Sequence, residues 1–461
     1  MSTTADLPLE SYTIKGMPVH TYHGMKVTER FFTVPLDYNN PEGVKIRVFV
    51  RHIVPKAKAK TPEDEEKLPY ILYLQGGPGC EIPLPSSSGY VGELHDKGYQ
   101  TLWLDQRGTG LSTPLSPETL PANVKSDAEI AQYLKHFRAD NIVRDCELIR
   151  EQLIGKREKP EDRKWSLFGQ SFGGFCIITY LSFFPDSLKE VFITGGLAPL
   201  VDHPDAVYEA LVPRVIKRNE IYYKKYPQDI KRVRALFAHL ESNEVILPSG
   251  GRLTPRRFQE LGMSFGFHGG IDSIHQIVFR ASNDLEQFNK LSYKILQAFD
   301  RQVFDSNPLY AILHEPIYCQ GKAAEWSAAR AVDKVDSFSW ARVKAQSGDV
   351  PIYFTGEMVF PTAFDHYANL RPWKGAAELL AKDADWPPLY NLEQLAKNEV
   401  PVSAVTYFND MYVDFNFAQD TASKIKNTEQ YITNQLVHNG LSRDSKDVMD
   451  KLFKLSKREF D

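Results

Sequence analysis

The chain has 461 residues, of which 42% are hydrophobic and 25% charged, and its formal net charge is −4. This composition is typical of a soluble globular protein, and the length suits one large domain with an insertion or two domains. The small net charge gives no support to nucleic-acid binding or to attraction by an anionic membrane. No apolar run approaches the roughly 20 residues that span a bilayer, so no membrane partner is expected.

The N-terminal segment and the cysteines indicate the compartment of the protein. Residues 1–16 have neither an apolar core nor a basic start, so we do not expect a secretory signal. Cys80, Cys146, Cys176 and Cys319 are scattered without C-x-x-C spacing. Such cysteines are typical of reduced thiols rather than of a disulfide framework. We therefore expect a cytoplasmic protein.

The first part of the chain alternates apolar runs with helical periods. Strands are predicted over residues 30–34, 44–54, 70–74, 101–104, 166–168 and 191–194. Helices are predicted over residues 141–154 and 172–184, and the polar stretch 57–67 predicts an exposed loop. Strands that alternate with helices indicate a parallel sheet that is covered on both faces.

The pattern changes after Gly196. Most segments then have a helical period, for example residues 207–226, 230–240 and 285–299. The alternation resumes with strands over 402–408 and 430–433 and helices over 415–426 and 446–455. We therefore predict a sheet domain made of residues 1–200 and 400–461. A largely helical insertion over residues 201–399 interrupts it and is large enough to hold its own core.

The sequence Gly169-Gln170-Ser171-Phe172-Gly173 is the most informative stretch of the chain. It is a G-x-S-x-G pattern between an apolar run and a helix-like run. This is the setting of a nucleophile elbow, a sharp strand-to-helix turn that presents a serine hydroxyl. A serine at such a junction is also a common helix N-cap, but a cap requires neither glycine. We therefore interpret Ser171 as a nucleophile.

A serine hydroxyl needs a base to take its proton. His438 is the best candidate because it follows the last strand-like run. In a sheet of this kind, ligands bind beyond the carboxyl ends of the strands. His366 and His268 fall in the insertion and are weaker candidates.

The base in turn needs a carboxylate that fixes its tautomer. Asp410 stands just after the strand predicted over residues 402–408, whereas Asp414 has the position of a cap for the next helix. The order Ser171, Asp410, His438 along the chain is that of the α/β hydrolases. Asp410 is therefore the predicted acid, with Asp414 as the alternative.

The sequence Gly76-Gly77-Pro78-Gly79 follows a predicted strand. Glycines allow backbone N–H groups to approach a substrate oxygen, and acyl transfer needs such donors for the developing oxyanion. We expect the amides of Gly77 and Phe172 to form the oxyanion hole, with Gly76 as a substitute. A plain structural turn is the alternative.

Three motifs together resemble the proline iminopeptidase (prolyl aminopeptidase) family of α/β-hydrolase serine peptidases. They are Leu74-Gln75-Gly76-Gly77-Pro78-Gly79, Asp105-Gln106-Arg107-Gly108-Thr109-Gly110-Leu111-Ser112 and Gly169-Gln170-Ser171-Phe172-Gly173-Gly174. The family typically shows H-G-G-P-G, D-Q-R-G-x-G-x-S and G-x-S-W/F-G-G, so Gln75 stands where the family often has histidine. The resemblance continues through residues 402–440, where Asp410 and His438 fall at the family's acid and base positions. The long insertion resembles that of the larger fungal-type branch.

The resemblance implies an α/β-hydrolase fold, in which helices flank a mostly parallel central sheet and a large, mainly helical cap is inserted before the last strands. It implies a serine exopeptidase that needs no metal and no cofactor. Its substrates would be peptides with a free N-terminus, and the residue that it releases would usually be proline. A small-molecule esterase or amidase of the same fold is the alternative. The intact Ser171, Asp410 and His438 disfavour a non-enzymatic binding protein, and the oligomeric state is left open.

An exopeptidase must bind a free cationic amine, which calls for buried or half-buried carboxylates. In the family these are glutamates of the helical cap. The segment His314-Glu315-Pro316-Ile317-Tyr318 resembles the family's glutamate-plus-aromatic segment, which makes Glu315 the first candidate. Glu357 is the second. Asp105 and Arg107 are expected to form a structural ion pair beside the site.

Overall fold

The computed structural model describes residues 19–301 and 303–458. Within them, nine strands form one sheet. The strands are β1 (Val19–Tyr22), β2 (Met25–Pro35), β3 (Lys45–Pro55), β4 (Tyr70–Leu74), β5 (Gln100–Leu104), β6 (Trp165–Gln170), β7 (Leu188–Thr194), β8 (Val402–Tyr407) and β9 (Thr428–Thr433). Their order is β1-β2-β3-β5-β4-β6-β7-β8-β9. Pairing is antiparallel from β1 to β5 and parallel from β5 to β9. The expectation that residues 1–16 carry no secretory signal falls outside the described residues.

Helices cover the sheet and fill the insertion. They are α1 (Pro62–Lys67), α2 (Tyr90–Asp96), α3 (Asp127–Leu134), α4 (Ala139–Ile154), α5 (Phe172–Phe183), α6 (Asp205–Lys225), α7 (Asp229–Ser242), α8 (Pro255–Gln259), α9 (Gly270–Phe288), α10 (Tyr293–Asp300), α11 (Val303–Ser306), α12 (Pro308–Leu313), α13 (Ser327–Asp333), α14 (Trp340–Lys344), α15 (Ala363–His366), α16 (Lys374–Lys382), α17 (Leu392–Ala396), α18 (Phe415–Lys424), α19 (Gly440–Arg443) and α20 (Ser445–Ser456). Over the ranges described, none of these helices is long and apolar enough to cross a membrane.

The two faces of the sheet bury different residues of the same strands. In β4, Leu72 and Leu74 pack on the side of α4 and α5, whereas Ile71 and Tyr73 pack on the side of α2 and α20. Successive residues of a strand point to opposite faces. Helices on both sides therefore require the unbroken apolar run that β4 shows. The helix α5 is buried along almost its whole length, so it forms the centre of one layer.

The segment between β7 and β8 is the mainly helical cap, made of α6 to α17 with an isolated bridge between Ile246 and Arg252. Part of the cap has its own core, in which Tyr222, Phe258 and Phe354 pack together. Residues that follow β8, among them Tyr412, join this core. The cap therefore sits on the loop after β8. The domain boundaries at residues 200 and 400 stay a prediction.

Two local predictions are wrong. The stretch 57–67, expected to be a loop, contains the exposed helix α1, which begins with Thr61 as N-cap and a capping box to Asp64. The helix expected over 285–299 is two helices, because Asn289 takes a left-handed conformation with φ 51° after the end of α9. The apolar period continues across that break, so it could not reveal the turn.

Candidate active site

Ser171 lies between β6 and α5 in a backbone conformation that few residues with side chains adopt. Its φ is 54° and its ψ is −124°, a sparsely populated region that surrounding structure must impose. The Ser171 N–H donates to the carbonyl of Thr194 at 3.0 Å, and the Gly174 N–H donates to the carbonyl of Ser171 at 2.8 Å. These bonds hold the serine at the carboxyl edge of the sheet.

The glycines around Ser171 are required by close backbone contacts. A Cβ at Gly173 would lie 1.9 Å from the carbonyl oxygen of Leu74, and one at Gly174 would lie 2.4 Å from that of Gly196. A Cβ at Gly169 would lie 2.6 Å from the backbone of Gly173. The glycines therefore allow α5 to begin directly against β4 and the chain after β7.

His438 connects Ser171 to Asp410 by hydrogen bonds. Its Nδ1 lies 2.8 Å from Oδ2 of Asp410, and its Nε2 lies 2.9 Å from Oγ of Ser171. An ionised carboxylate can only accept, so Nδ1 carries the proton and the Ser171 hydroxyl donates to Nε2. The other oxygen of Asp410 accepts the N–H groups of Tyr412 at 2.8 Å and Val413 at 3.1 Å. The carboxylate is thereby fixed in its orientation toward the imidazole.

The surroundings of His438 favour its protonated form. The side chain is 5% exposed, and burial disfavours the charged imidazolium. The negative charge of Asp410, its hydrogen bond to the ring and the charge of Glu357 outweigh burial. The pKa of His438 is therefore raised above its ordinary value, in line with its predicted role as a base.

Asp414 and His366, two of the alternative candidates for acid and base, have other partners. Asp414 caps α18, since one of its oxygens accepts the N–H groups of Asn416 and Phe417 at 2.8 and 3.0 Å. Its second oxygen pairs with Arg214 at 2.5 Å. His366 bonds to Thr254 within the cap. Asp410 is thus the carboxylate that the structure places on His438.

The predicted oxyanion residues lie beside Ser171. A Cβ at Gly76 would be 3.2 Å from the Cβ of Ser171, and the Gly76 N–H donates to Oε1 of Gln75 at 3.2 Å. Gly77 has a φ of 132°, which favours glycine. Phe172 begins α5, where N–H groups have no acceptor within the helix. Because the Gly76 N–H already donates to Gln75, the amides of Gly77 and Phe172 remain the predicted donors to the oxyanion.

Comparison with known proteins identifies the family of the chain. Residues 69–238 match the alpha/beta hydrolase fold family. A proline iminopeptidase of Aspergillus aculeatus is 43% identical over 437 residues, which cover 95% of each chain. Another, of Aeromonas sobria, is 42% identical over 443 residues, which cover 95% of this chain and 99% of the relative. The chain belongs to the proline iminopeptidase family.

As a member of this family the chain is a hydrolase of the aminopeptidase type with an α/β-hydrolase fold. Among solved structures, the crystal structure of a proline iminopeptidase of Mycobacterium smegmatis is 13% identical with a TM-score of 0.39. That similarity covers 93% of this chain and 98% of the other, and it is too distant to inform on the site.

Gln75 stands where the resemblance predicts histidine, and its hydrogen bonds hold the loop that carries Gly76 and Gly77. The hydroxyl of Tyr73 donates to its Oε1 at 3.0 Å, and its Nε2 donates to the carbonyl of Glu81 at 3.4 Å. Its own carbonyl accepts from Nε2 of Gln106 at 3.0 Å. The loop that carries Gly76 and Gly77 is therefore held without a histidine.

The two cap glutamates have different surroundings. Glu315 is buried, and its carboxylate accepts the N–H groups of Ser327 at 3.1 Å and Ala328 at 2.8 Å, at the start of α13. Burial raises the pKa of Glu315 to about 7, against the opposing effect of these two hydrogen bonds. Glu357 is half-buried, accepts the hydroxyl proton of Tyr310 and acts on the pKa of His438. Glu357 is thus the cap carboxylate whose charge reaches His438.

The expected ion pair between Asp105 and Arg107 is not formed, and that prediction is wrong. Arg107 binds Asp145 of α4 with two hydrogen bonds of 2.7 and 2.5 Å. Asp105 instead accepts the N–H groups of Ile82 at 3.0 Å and Leu111 at 2.9 Å. Proximity in sequence suggested a pair, but each side chain has its own partners in a different part of the fold.

No motif in the sequence pointed to the aromatic side chains around His438. The ring of Tyr412 lies 4.5 Å from that of His438, and Phe267 stacks on Tyr412 with ring centres 5.2 Å apart. Tyr310, which donates to Glu357, was also missed. The position of Tyr412 two residues after Asp410 could have marked it. Phe267 and Tyr310 reach the site only through the packing of the cap.

A cavity of about 370 Å³ opens beside the glycine loop. Its walls include Gly79, Cys80 and Thr109 on the side of the sheet and Asn307 and Leu309 on the side of the cap. In the parts of the chain that the structure describes, no group of three or more histidine, cysteine or acidic side chains is arranged to hold a metal ion.

Proposed function

We propose that this proline iminopeptidase family member is a serine exopeptidase that releases an N-terminal residue, preferably proline, from peptides through an acyl-enzyme. The observation that carries the proposal is the hydrogen-bonded series from Ser171 through His438 to Asp410 at the turn between β6 and α5. The proline preference is supported by relatives of 43% and 42% identity that are named proline iminopeptidases.

The first half of the reaction forms the acyl-enzyme. Ser171 Oγ attacks the carbonyl carbon of the first residue while its proton passes to Nε2 of His438. The amides of Gly77 and Phe172 donate to the developing oxyanion. The imidazolium then gives its proton to the leaving nitrogen, so the shortened peptide departs as an amine. Asp410 stabilises the imidazolium while it exists.

The second half releases the N-terminal residue. Water takes the place of the departed peptide and gives a proton to Nε2 of His438 as it attacks the ester carbon. The tetrahedral intermediate collapses, and the proton returns from His438 to Ser171 Oγ. The free amino acid leaves, and the triad is restored.

The amine site is proposed to lie in the cap at Glu357, with Glu315 as the second carboxylate. Both charges act on Tyr208, and after burial they raise the pKa of its hydroxyl. That buried hydroxyl has no hydrogen-bond partner among the described residues. Buried polar groups are normally paired, so an ammonium group of the substrate would supply the missing donor. A carboxylate and an acceptor hydroxyl together suit a cationic amine.

The test of the triad is the variant Ser171→Ala. Loss of a triad serine costs on the order of a million-fold in turnover, so hydrolysis of a prolyl amide should vanish while circular dichroism shows a folded protein. Ser182→Ala, on the same helix and bonded only to a helix carbonyl in the contacts that the structure gives it, is the matched control and should keep its activity. If folded Ser171→Ala retained more than a few per cent of activity, the nucleophile would be another residue.

A further inference from the structure

The cap lies against the loop that carries the acid. The hydroxyl of Tyr412 donates to the carbonyl of Met263, and a Cβ at Gly266 would lie 2.1 Å from the Tyr412 ring. Phe267 stacks on the same ring. The backbone N–H of Tyr412 donates to Asp410 at 2.8 Å. Residues 263–267 of the cap therefore hold the side chain of Tyr412. The backbone N–H of Tyr412 in turn orients the carboxylate of Asp410.

The next cap residue, His268, contacts the loop that carries the base. Its Nε2 accepts the N–H of Val437 at 3.2 Å, and its own N–H donates to Oδ1 of Asn439 at 3.0 Å. Val437 and Asn439 are the two chain neighbours of His438, and we call residues 437–439 the base loop. Because the partner of Nε2 is a backbone N–H, Nε2 must be unprotonated and the neutral ring carries its proton on Nδ1.

The surroundings of His268 keep its ring neutral. Burial, with the positive charges of Arg443 and Arg218, holds the pKa of His268 below its ordinary value. Arg443 ends α19, which follows the base loop. Arg218 lies on α6, and its Nε donates to the carbonyl of Phe265 at 2.8 Å. Cations on both sides of the contact therefore favour the form of His268 that can accept a hydrogen bond.

We propose that His268 is a positioning residue that sets the place of the catalytic base. One hydrogen bond holds the backbone N–H of Val437 and the other holds the side chain of Asn439, so a single cap residue binds both neighbours of His438, whose Nε2 must stay within reach of Ser171 Oγ. Misplacement of a reacting group by about 1 Å can cost about 100-fold in rate. The proposal rests on the triad of the proposed function. It makes the cap a support for the chemistry as well as for substrate selection.

The test compares His268→Leu with His268→Gln. His268→Leu removes the acceptor and should lower kcat about 10- to 100-fold for both a prolyl amide and p-nitrophenyl acetate, with KM for the prolyl amide unchanged. The side-chain carbonyl of His268→Gln can accept from Val437 and should restore most of the rate. His239→Leu is the matched control, because His239 on α7 bonds to Asn243 of its own helix region; it should leave both rates unchanged.

Several results would overturn the proposal. A folded His268→Leu with the parent kcat would show that the base loop needs no support from the cap. Equal losses in His268→Leu and His268→Gln, or a change in KM alone, would assign His268 to general packing or to the substrate site. If His268→Leu does not fold, Asn439→Ala removes the second hydrogen bond and should lower kcat in the same way, with Asn439→Asp as its rescue. An active Ser171→Ala would instead mean that the proposed function itself fails.

Discussion

The sheet and the cap position their functional residues by different means. Ser171, Asp410 and His438 follow β6, β8 and β9, which belong to the parallel part of one sheet whose pairing fixes where each strand ends. The cap contributes Glu357 and His268 from non-helical segments that are far apart in sequence. The comparison leads us to expect that changes at the triad and changes at Glu357 disturb bond cleavage and amine recognition separately, and the predictions below test this separation.

After Ser171→Ala, the largest effect is expected from a change of Asp410, the predicted acid. Asp410→Asn would support the wrong tautomer of His438 and should lower kcat about ten-thousand-fold. Asp414→Asn keeps a side-chain acceptor for the cap of α18 and should change the rate little. Steady-state kinetics of the two folded variants on a prolyl amide would decide, and the opposite ranking would make Asp414 the acid.

A second change separates the stability of the sheet domain from catalysis. Arg107 and Asp145 are almost fully buried, and removal of one partner of such a pair costs about 3–5 kcal/mol. Arg107→Met should therefore lower the free energy of unfolding in urea by that amount while the folded enzyme keeps its kcat. The exposed pair of Arg342 and Asp336 provides the control, since Arg342→Met should cost less than about 1 kcal/mol. Loss of kcat in folded Arg107→Met would place Arg107 in the active site.

The cap side is tested by Glu357→Gln. Removal of one partner of a desolvated charge pair costs about 2–5 kcal/mol, or about 30- to 5,000-fold in kcat/KM for a prolyl amide. Turnover of p-nitrophenyl acetate, which has no amine to bind, should change little. Glu315→Gln should have the smaller effect because the Glu315 carboxylate already accepts two N–H groups of α13. A larger loss in Glu315→Gln would move the amine site to that residue.

The smallest predicted effect is a shift of the pH profile. A base works only when neutral, so activity falls as the pH drops through the pKa of His438, which lies above the ordinary value of about 6.5. Glu357→Gln removes one negative charge that raises this pKa. The acid limb for p-nitrophenyl acetate should therefore move to lower pH, whereas that of Glu315→Gln should stay in place. An unmoved limb in Glu357→Gln would show that its charge does not reach His438.

The sequence predicted the sheet side closely, for a physical reason. The elbow needs glycines because a Cβ at these positions would lie only 1.9 to 2.6 Å from backbone atoms. This requirement produces a short pattern that can be recognised in the sequence. Buried parallel strands likewise need continuous apolar runs, as β4 shows over the predicted residues 70–74. The place of Asp410 follows because it comes soon after the buried strand β8, whereas His438 follows the last, half-buried strand β9 at a distance of a few residues.

The cap could not be predicted in the same detail. The contacts of His268 with residues 437 and 439 and of Tyr310 with Glu357 depend on how segments far apart in sequence pack together. No local pattern encodes such pairs. The wrong pairing of Asp105 with Arg107 has the same cause, since the true partner Asp145 lies 38 residues away from Arg107 in sequence. Contacts between side chains could therefore not be predicted at positions where the backbone geometry does not require a particular residue type.

The most direct test of the central claim is the preference of the parent enzyme for a free amine. The claim is that the triad at the edge of the sheet hydrolyses the acyl bond, and that the cap selects substrates by the charged nitrogen next to that bond. One measurement, the ratio of kcat/KM for a prolyl amide to that for its N-acetylated form, addresses both parts. We predict a ratio of about 30 to 5,000, because acetylation removes the charge that the cap carboxylate binds. Equal values for the two substrates would contradict the exopeptidase function and favour a small-molecule amidase or esterase.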